Sequence, residues 1–363
     1  MNKRKIITFE QAIKKSDVFK KRHLLLGNGF SIACVPNIFT YRSLFEKANF
    51  SKMLQVLELF EVFKTQDFEY VIKALEISRN VIPAYLRGCE ETIALMKIQA
   101  DKLKELLLET IAENHPSYPS EIDNSKYDAC VSFLSAFLNR KNGGKVFTLN
   151  YDLLLYWALM YGIENNKFDF EINDGFGRNA KFDNGEWNKS KYVTWQGESS
   201  AHNQNIHYLH GALHIFDKGV DIQKFTWIDT GERLIDQTRN ALKENMFPLF
   251  VAEGESEKKM GKIVHSGYLY HSFKSFSAVM NCNTRNASSC LFTYGISFGS
   301  NDSHIFKKIT DGNINKVFVG IYGDIDSDRN KSIIEEVETI SNKRKYSKLE
   351  VEYYDTESAK VWG

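Results

Sequence analysis

Cysteine is scarce in this chain, and its spacing offers no pairs. Cys34, Cys89, Cys130, Cys282 and Cys290 are odd in number, scattered, and include no Cys-x-x-Cys. Neither a disulfide framework nor a zinc ribbon is therefore expected. A surplus of one charge is missing too. Lys and Arg total 47 against 46 Asp and Glu, so the basic excess that marks nucleic-acid binders is absent and no direct nucleic-acid partner is expected. No apolar run approaches the ~20 residues that cross a bilayer, which predicts no membrane association. The basic start Met1-Asn2-Lys3-Arg4-Lys5 leads into Thr8-Phe9-Glu10-Gln11, where a signal peptide needs its apolar segment. A cytoplasmic location is the expectation. Only five prolines in 363 residues suit long helices, and no internal repeat or low-complexity segment is found.

What is present reads as a folded domain, with 43% hydrophobic and 13% aromatic residues. Residues 23–26 form a short buried strand signal that stops at Gly27. From about 41 to 140 the apolar spacing turns helical, as in Met53, Val56, Leu57 and Phe60, or Leu103, Leu106, Leu107 and Ile111. Pro116 and Pro119 punctuate that stretch. Residues 145–149 return as a strand, followed by a helix over 153–161. The polar, Asn/Gly-rich segment 164–205 carries little beyond a hairpin signal at 192–196. Further strands are expected at 247–252, 290–295, 317–322 and 349–354, with helices at 257–281, 302–310 and 325–344. This alternation predicts an α/β fold with a Rossmann-like, doubly wound parallel sheet. The sheet domain is assigned to residues 1–40 and 141–363, and residues 41–140 to a large inserted helical module.

Three strand-end strings carry the chemistry. Gly27-Asn28-Gly29-Phe30-Ser31 follows a strand and opens a helix, where glycines let the backbone approach a diphosphate. On its own Gly-x-Gly is more often a plain turn, and Ile32 stands where a dehydrogenase fingerprint wants a small residue. In isolation Thr148-Leu149-Asn150-Tyr151-Asp152 reads as a helix N-cap, but its place after the strong strand Val146-Phe147-Thr148-Leu149 favours an amide and a carboxylate presented at a strand's carboxyl end. His207, His210 and His214 would share a helix face as metal ligands, but Gly211 disfavours a helix and the flanking residues suit a strand and turn. No metal is therefore expected, and His210, titrating near neutrality, suits general-base work. A fourth turn, Gly295-Ile296-Ser297, suits the adenosine half of a dinucleotide, and Asn301 or Asp302 is expected to cap the next helix.

In this order the strings resemble the sirtuin (Sir2) pattern of a Gly-Ala-Gly-x-Ser turn, a Thr-Gln-Asn-x-Asp turn, a His-Gly pair and a Gly-Thr-Ser turn. The string from Tyr208 to His214 and that from Thr148 to Asp152 look most like the Sir2-like proteins of bacterial anti-phage defence. The cysteine quartet of zinc-containing deacylating sirtuins is missing here, which agrees with that branch. The resemblance implies an NAD+ hydrolase, the toxic effector of an abortive-infection system, with NAD+ as substrate and no metal. It implies Asn150 on the water or ribose hydroxyl, His210 as base and Asp152 on the nicotinamide amide. Gly27, Asn28, Gly29, Phe30, Ser31, Thr148, Gly295 and Ser297 would bind the dinucleotide. It further implies control by a regulatory protein subunit that senses a phage signal or nucleotide, and a homo-oligomer. The alternatives are a non-catalytic NAD or ADP-ribose sensor, and a sirtuin-type ADP-ribosyltransferase or deacylase.

Overall fold

The computed structural model describes residues 6–139, 143–177, 192–197, 203–219, 221–226, 233–281, 288–344 and 348–363. Its strands are β1 (Ile6–Ile7), β2 (Lys21–Leu26), β3 (Val146–Thr148), β4 (Tyr192–Thr194), β5 (Ile206–Tyr208), β6 (Ile215–Asp217), β7 (Ile222–Phe225), β8 (Ser289–Tyr294), β9 (Lys316–Ile321) and β10 (Glu350–Asp355). Seven of them form one parallel sheet in the order β1-β10-β9-β8-β2-β3-β5. Leaving β1 aside, the chain runs from β2 outward through β3 to β5, then returns to the other side of β2 and runs outward again from β8. This is the doubly wound Rossmann-like arrangement, and its switch point lies between β2 and β8.

Both faces of the sheet are covered, which is why Leu24, Leu25 and Leu26 run without polar alternation. Leu24 pairs with Phe292 and Leu25 with Phe147, so these two phenylalanines lie on opposite faces. The helix Asn124–Leu138 packs Phe137 on Phe292 at 5.3 Å between ring centres, and the helix Gly267–Met280 packs Phe276 on Phe147 at 5.0 Å. The last helix of the 41–140 segment is thus the crossover from β2 to β3 and lies on the sheet. The helices Tyr41–Lys47, Phe68–Val81 and Glu90–Asn114 instead supply Leu44, Phe68, Leu107 and Ile111 to a cavity beyond the strands' carboxyl ends. No helix among the described residues is long and apolar enough to cross a membrane. Cys34, Cys89, Cys130 and Cys290 are buried free thiols, and Cys282 lies outside the described residues.

Several expectations need correction. Segment 247–252 forms no strand, only a single bridge between Phe250 and Gly211. It bonds the turn after β5, through Ala212 N–H to the Leu249 carbonyl (3.0 Å) and Val251 N–H to the His210 carbonyl (3.0 Å). The expected helix over 257–281 is two, Ser256–His265 and Gly267–Met280, because Ser266 takes an extended conformation and caps the second. The signal at 192–196 is no local hairpin, since β4 pairs antiparallel with β7 in a separate sheet with β6. β1 and the helix Phe9–Ser16 were unexpected, although Thr8 and Gln11 form a capping box.

Burial holds several histidines in the neutral state, and two of them accept backbone amides. The His23 Nδ1 accepts from the Lys145 amide at 3.1 Å, and the His115 Nε2 accepts from the Leu153 amide at 3.1 Å. Burial depresses His23 to about 3, and His115 and His304 to about 4. In the unfolded chain these rings gain protons near pH 6.5, so acid favours unfolding until the folded values are reached. The melting temperature should therefore hold above about pH 7 and fall as pH drops from about 6.5 to about 4. Calorimetry across that range checks this, and a flat profile would contradict it.

Candidate active site

The cavity sits where the strand order switches. Its walls include Gly27, Asn28 and Gly29 after β2, Asn150, Tyr151 and Asp152 after β3, His210 after β5, and Gly295 and Ser297 after β8, enclosing about 460 Å³. Two turns meet there with no side chain between them. A Cβ on Gly29 would lie 2.5 Å from the Gly295 Cα, and Gly295 itself holds φ at +66°. The Gly29 amide donates to the Gly295 carbonyl at 3.1 Å. The glycines are thus required by the approach of two strand ends. The amides of Gly27, Gly29, Phe30 and Ser31 all donate to backbone carbonyls, so the turn offers less to an anion than its sequence suggests.

The orientation of Asn150 follows from its partners. Its Nδ2 lies 3.0 Å from the Gly27 carbonyl and 2.9 Å from the Ser31 Oγ. A carbonyl only accepts, so the atom facing it is the amide nitrogen. The Ser31 hydroxyl donates onward to Asp152 Oδ2, and Asp152 Oδ1 accepts the Leu154 amide at 2.9 Å. Both Nδ2 hydrogens are thereby used, which leaves Asn150 Oδ1 as an acceptor at the cavity. Each Asp152 oxygen holds one protein donor and keeps one acceptor position. Burial raises the Asp152 carboxyl above its ordinary value, while Ser31 and Leu154 favour the ionised form.

Three residues expected at the ligand stand behind the wall instead. Ser31 is fully buried between Asn150 and Asp152. Phe30 is fully buried against Trp362, whose Nε1–H donates to the Phe30 carbonyl at 2.9 Å. The Thr148 hydroxyl accepts the Asn150 amide at 3.1 Å.

His210 is buried at the turn after β5, and Gly211 makes that turn feasible. Its φ is +82°, and a Cβ there would lie 1.8 Å from the Leu249 carbonyl oxygen. The His210 Nε2 meets the His304 Nε2 at 3.2 Å and lies 3.8 Å from Asp302 Oδ1. Burial, aided by Lys259 and His304, drives His210 well below its ordinary value, with Asp302 acting in the opposite sense. It is a neutral imidazole at pH 7. His207 and His214 do not join it. The former stacks on Phe147 at 4.9 Å and bonds Gln204 and Ser275, and the latter packs against Tyr156.

A buried ion cluster adjoins His210. Lys259 is 1% exposed and donates to Glu69 Oε2 at 2.8 Å and Asp302 Oδ1 at 2.9 Å. Burial alone would raise Asp302, but the Lys259 ammonium beside it holds it down to about 2. Burial and the nearby Asp302 raise Glu69, against the pull of Lys259. Asp302 holds the N-cap position of the next helix, Ser303–Asp311, as expected, but its side chain makes no capping bond and serves Lys259 instead, while Asn301 donates to Glu69.

A family described as "Domain of unknown function (DUF4917)" matches residues 24–362. The chain belongs to this family. A search of curated proteins finds no match. The bounds of the DUF4917 match take in the helical segment as well as the sheet.

The site of this DUF4917 chain contains residues that motif reading missed. Glu69 follows Asp67, whose side chain caps the helix Phe68–Val81 through the Glu69 and Tyr70 amides, and that capping signal was readable. Lys259 sits in a Glu-Ser-Glu-Lys-Lys run that reads as solvated, and only its four-residue spacing from buried Ile263 hints otherwise. Arg329 is the one cation among the described lining residues. His210, Asp302 and His304 are grouped closely enough to share a metal ion, but the Lys259 ammonium already holds Asp302 Oδ1, the oxygen that faces His210 Nε2. Elemental analysis of dialysed protein should find no stoichiometric zinc, and chelators should leave its properties unchanged. One equivalent of metal lost in a His210→Ala variant would overturn that expectation.

Proposed function

We propose that this protein cleaves the nicotinamide–ribose bond of NAD+, releasing nicotinamide, ADP-ribose and a proton as water is consumed. The observation that carries the reading is the pair formed by the Asn150 Oδ1 acceptor and the neutral His210, both on one cavity at the sheet's switch point. The resemblance of the three strand-end strings to Sir2-like NAD hydrolases supports it. The transition state of such a cleavage carries positive charge on the ribose, like that of glycoside hydrolysis. Glu69, Asp152 and Asp302 line the cavity and suit that charge. Asn150 Oδ1 would accept from the water or a ribose hydroxyl, His210 would take the proton, and Asp152 would accept from the nicotinamide amide. The diphosphate, repelled by those carboxylates, would lie towards Arg329, Asn28 and Ser297.

The reading includes control by a partner, as in an effector of anti-phage defence. Among the described residues, exposed large apolar side chains gather in the helical segment, with Tyr85 87% and Val62 72% exposed. Such a face suits a regulatory subunit or a second copy. A resting enzyme and a partner that favours the competent state would together supply the control.

Purified protein incubated with NAD+, alone and with co-purifying partners, should release nicotinamide. Asn150→Ala and His210→Ala should each reduce release by at least about 10²-fold without loss of fold by circular dichroism. Full activity in either variant would remove the mechanism. NAD+ binding with no nicotinamide release under any condition would favour the sensor reading. The wild-type acid limb should lie below pH 6.5, because His210 stays neutral until well below that value.

A further inference from the structure

The His210–His304 contact leaves one proton to be placed. Two Nε2 atoms 3.2 Å apart share one hydrogen, and either ring could carry it. Ser256 does not decide, since its hydroxyl already accepts the His304 amide at 2.7 Å and can give or take at His304 Nδ1, 3.1 Å away. Asp302 does decide. Its ionised carboxylate also acts on His304, but it lies within ion-pair reach of His210 Nε2 alone, at 3.8 Å, and so favours an N–H there over a bare lone pair. The proton then sits on His210 Nε2, His304 accepts it at Nε2, and His304 Nδ1–H donates to Ser256. What remains on His210 is Nδ1, free of any protein partner among the described residues.

We propose that Asp302 and His304 are positioning residues that hold His210 in the Nε2–H tautomer and so expose Nδ1 as the proton acceptor. This rests on the reading of His210 as the base, but the tautomer itself can be measured without any turnover. Lys259 completes the arrangement. It holds Asp302 in place at 2.9 Å, and sharing its charge with Glu69 leaves part of the carboxylate's field for His210.

The test uses the full-length chain labelled with ¹⁵N at the histidine rings, whose nitrogen shifts distinguish the two tautomers. The His210 signal is assigned by its loss in His210→Gln. Wild type should show Nε2–H at His210. Asp302→Asn keeps Lys259 paired with Glu69, and should move His210 to a mixture of tautomers or to Nδ1–H. His304→Phe should weaken the preference, and His304→Gln, which restores an acceptor, should recover it. In parallel, Asp302→Asn should lower kcat for nicotinamide release about 10²-fold with KM little changed. An Nδ1–H ring in wild type, or a tautomer indifferent to Asp302→Asn, would overturn the proposal. A tautomer that responds as expected in a protein that never cleaves NAD+ would uphold the positioning network and sink only the NAD+ reading.

Discussion

The site depends on one backbone contact, that of Gly29 against Gly295. The sheet's two halves diverge at β2 and β8, and an open α/β sheet leaves a crevice where neighbouring connections part. Here the two turns flanking that crevice are pressed together at its base, with the Gly29 amide bonded to the Gly295 carbonyl. The Gly27 carbonyl is thereby fixed, and it is the atom that orients Asn150. Any side chain at Gly29 or Gly295 would separate the turns and release Asn150 from its register.

From that contact outward, the polar groups form a chain in which each fixes the next. Asp152 holds the Ser31 hydroxyl, and Ser31 and Gly27 hold the Asn150 amide nitrogen, which leaves Oδ1 as the acceptor of a residue that lines the cavity. On the far wall Asp302 and His304 do the same for His210. Asn150 and His210 are thus both carried at strand ends with their orientation set by buried partners, an arrangement that preorganises a polar site.

Much of this was legible in the sequence. The strands before Gly27, Asn150 and Gly295 announced themselves by apolar runs, and strand–helix alternation gave the doubly wound class. Residue types at strand ends located the cavity. What was not legible lay in contacts between distant segments. Nothing local marks Ser31 as a buried relay rather than a ligand, because its role comes from Asp152, 121 residues away. Segment 247–252 has strand composition, but its partner is an irregular turn, so no ladder forms. The helix over 257–281 breaks at Ser266, where a capping hydroxyl outweighs apolar periodicity. Lys259 hides in a run of charges, since its burial is imposed by carboxylates from two other elements.

Glu69 belongs to the helical segment, whereas Lys259 and Asp302 belong to the sheet domain, so the ion cluster is a seam between them. A seam of apolar contacts can loosen by degrees, each contact yielding a little. A buried ammonium held between two carboxylates cannot, because a partly withdrawn charge has neither water nor counter-ion. Parting this seam therefore requires water to reach the Lys259 ammonium, which is 1% exposed. The cavity it borders is therefore walled on that side by charges that hold only while they stay together.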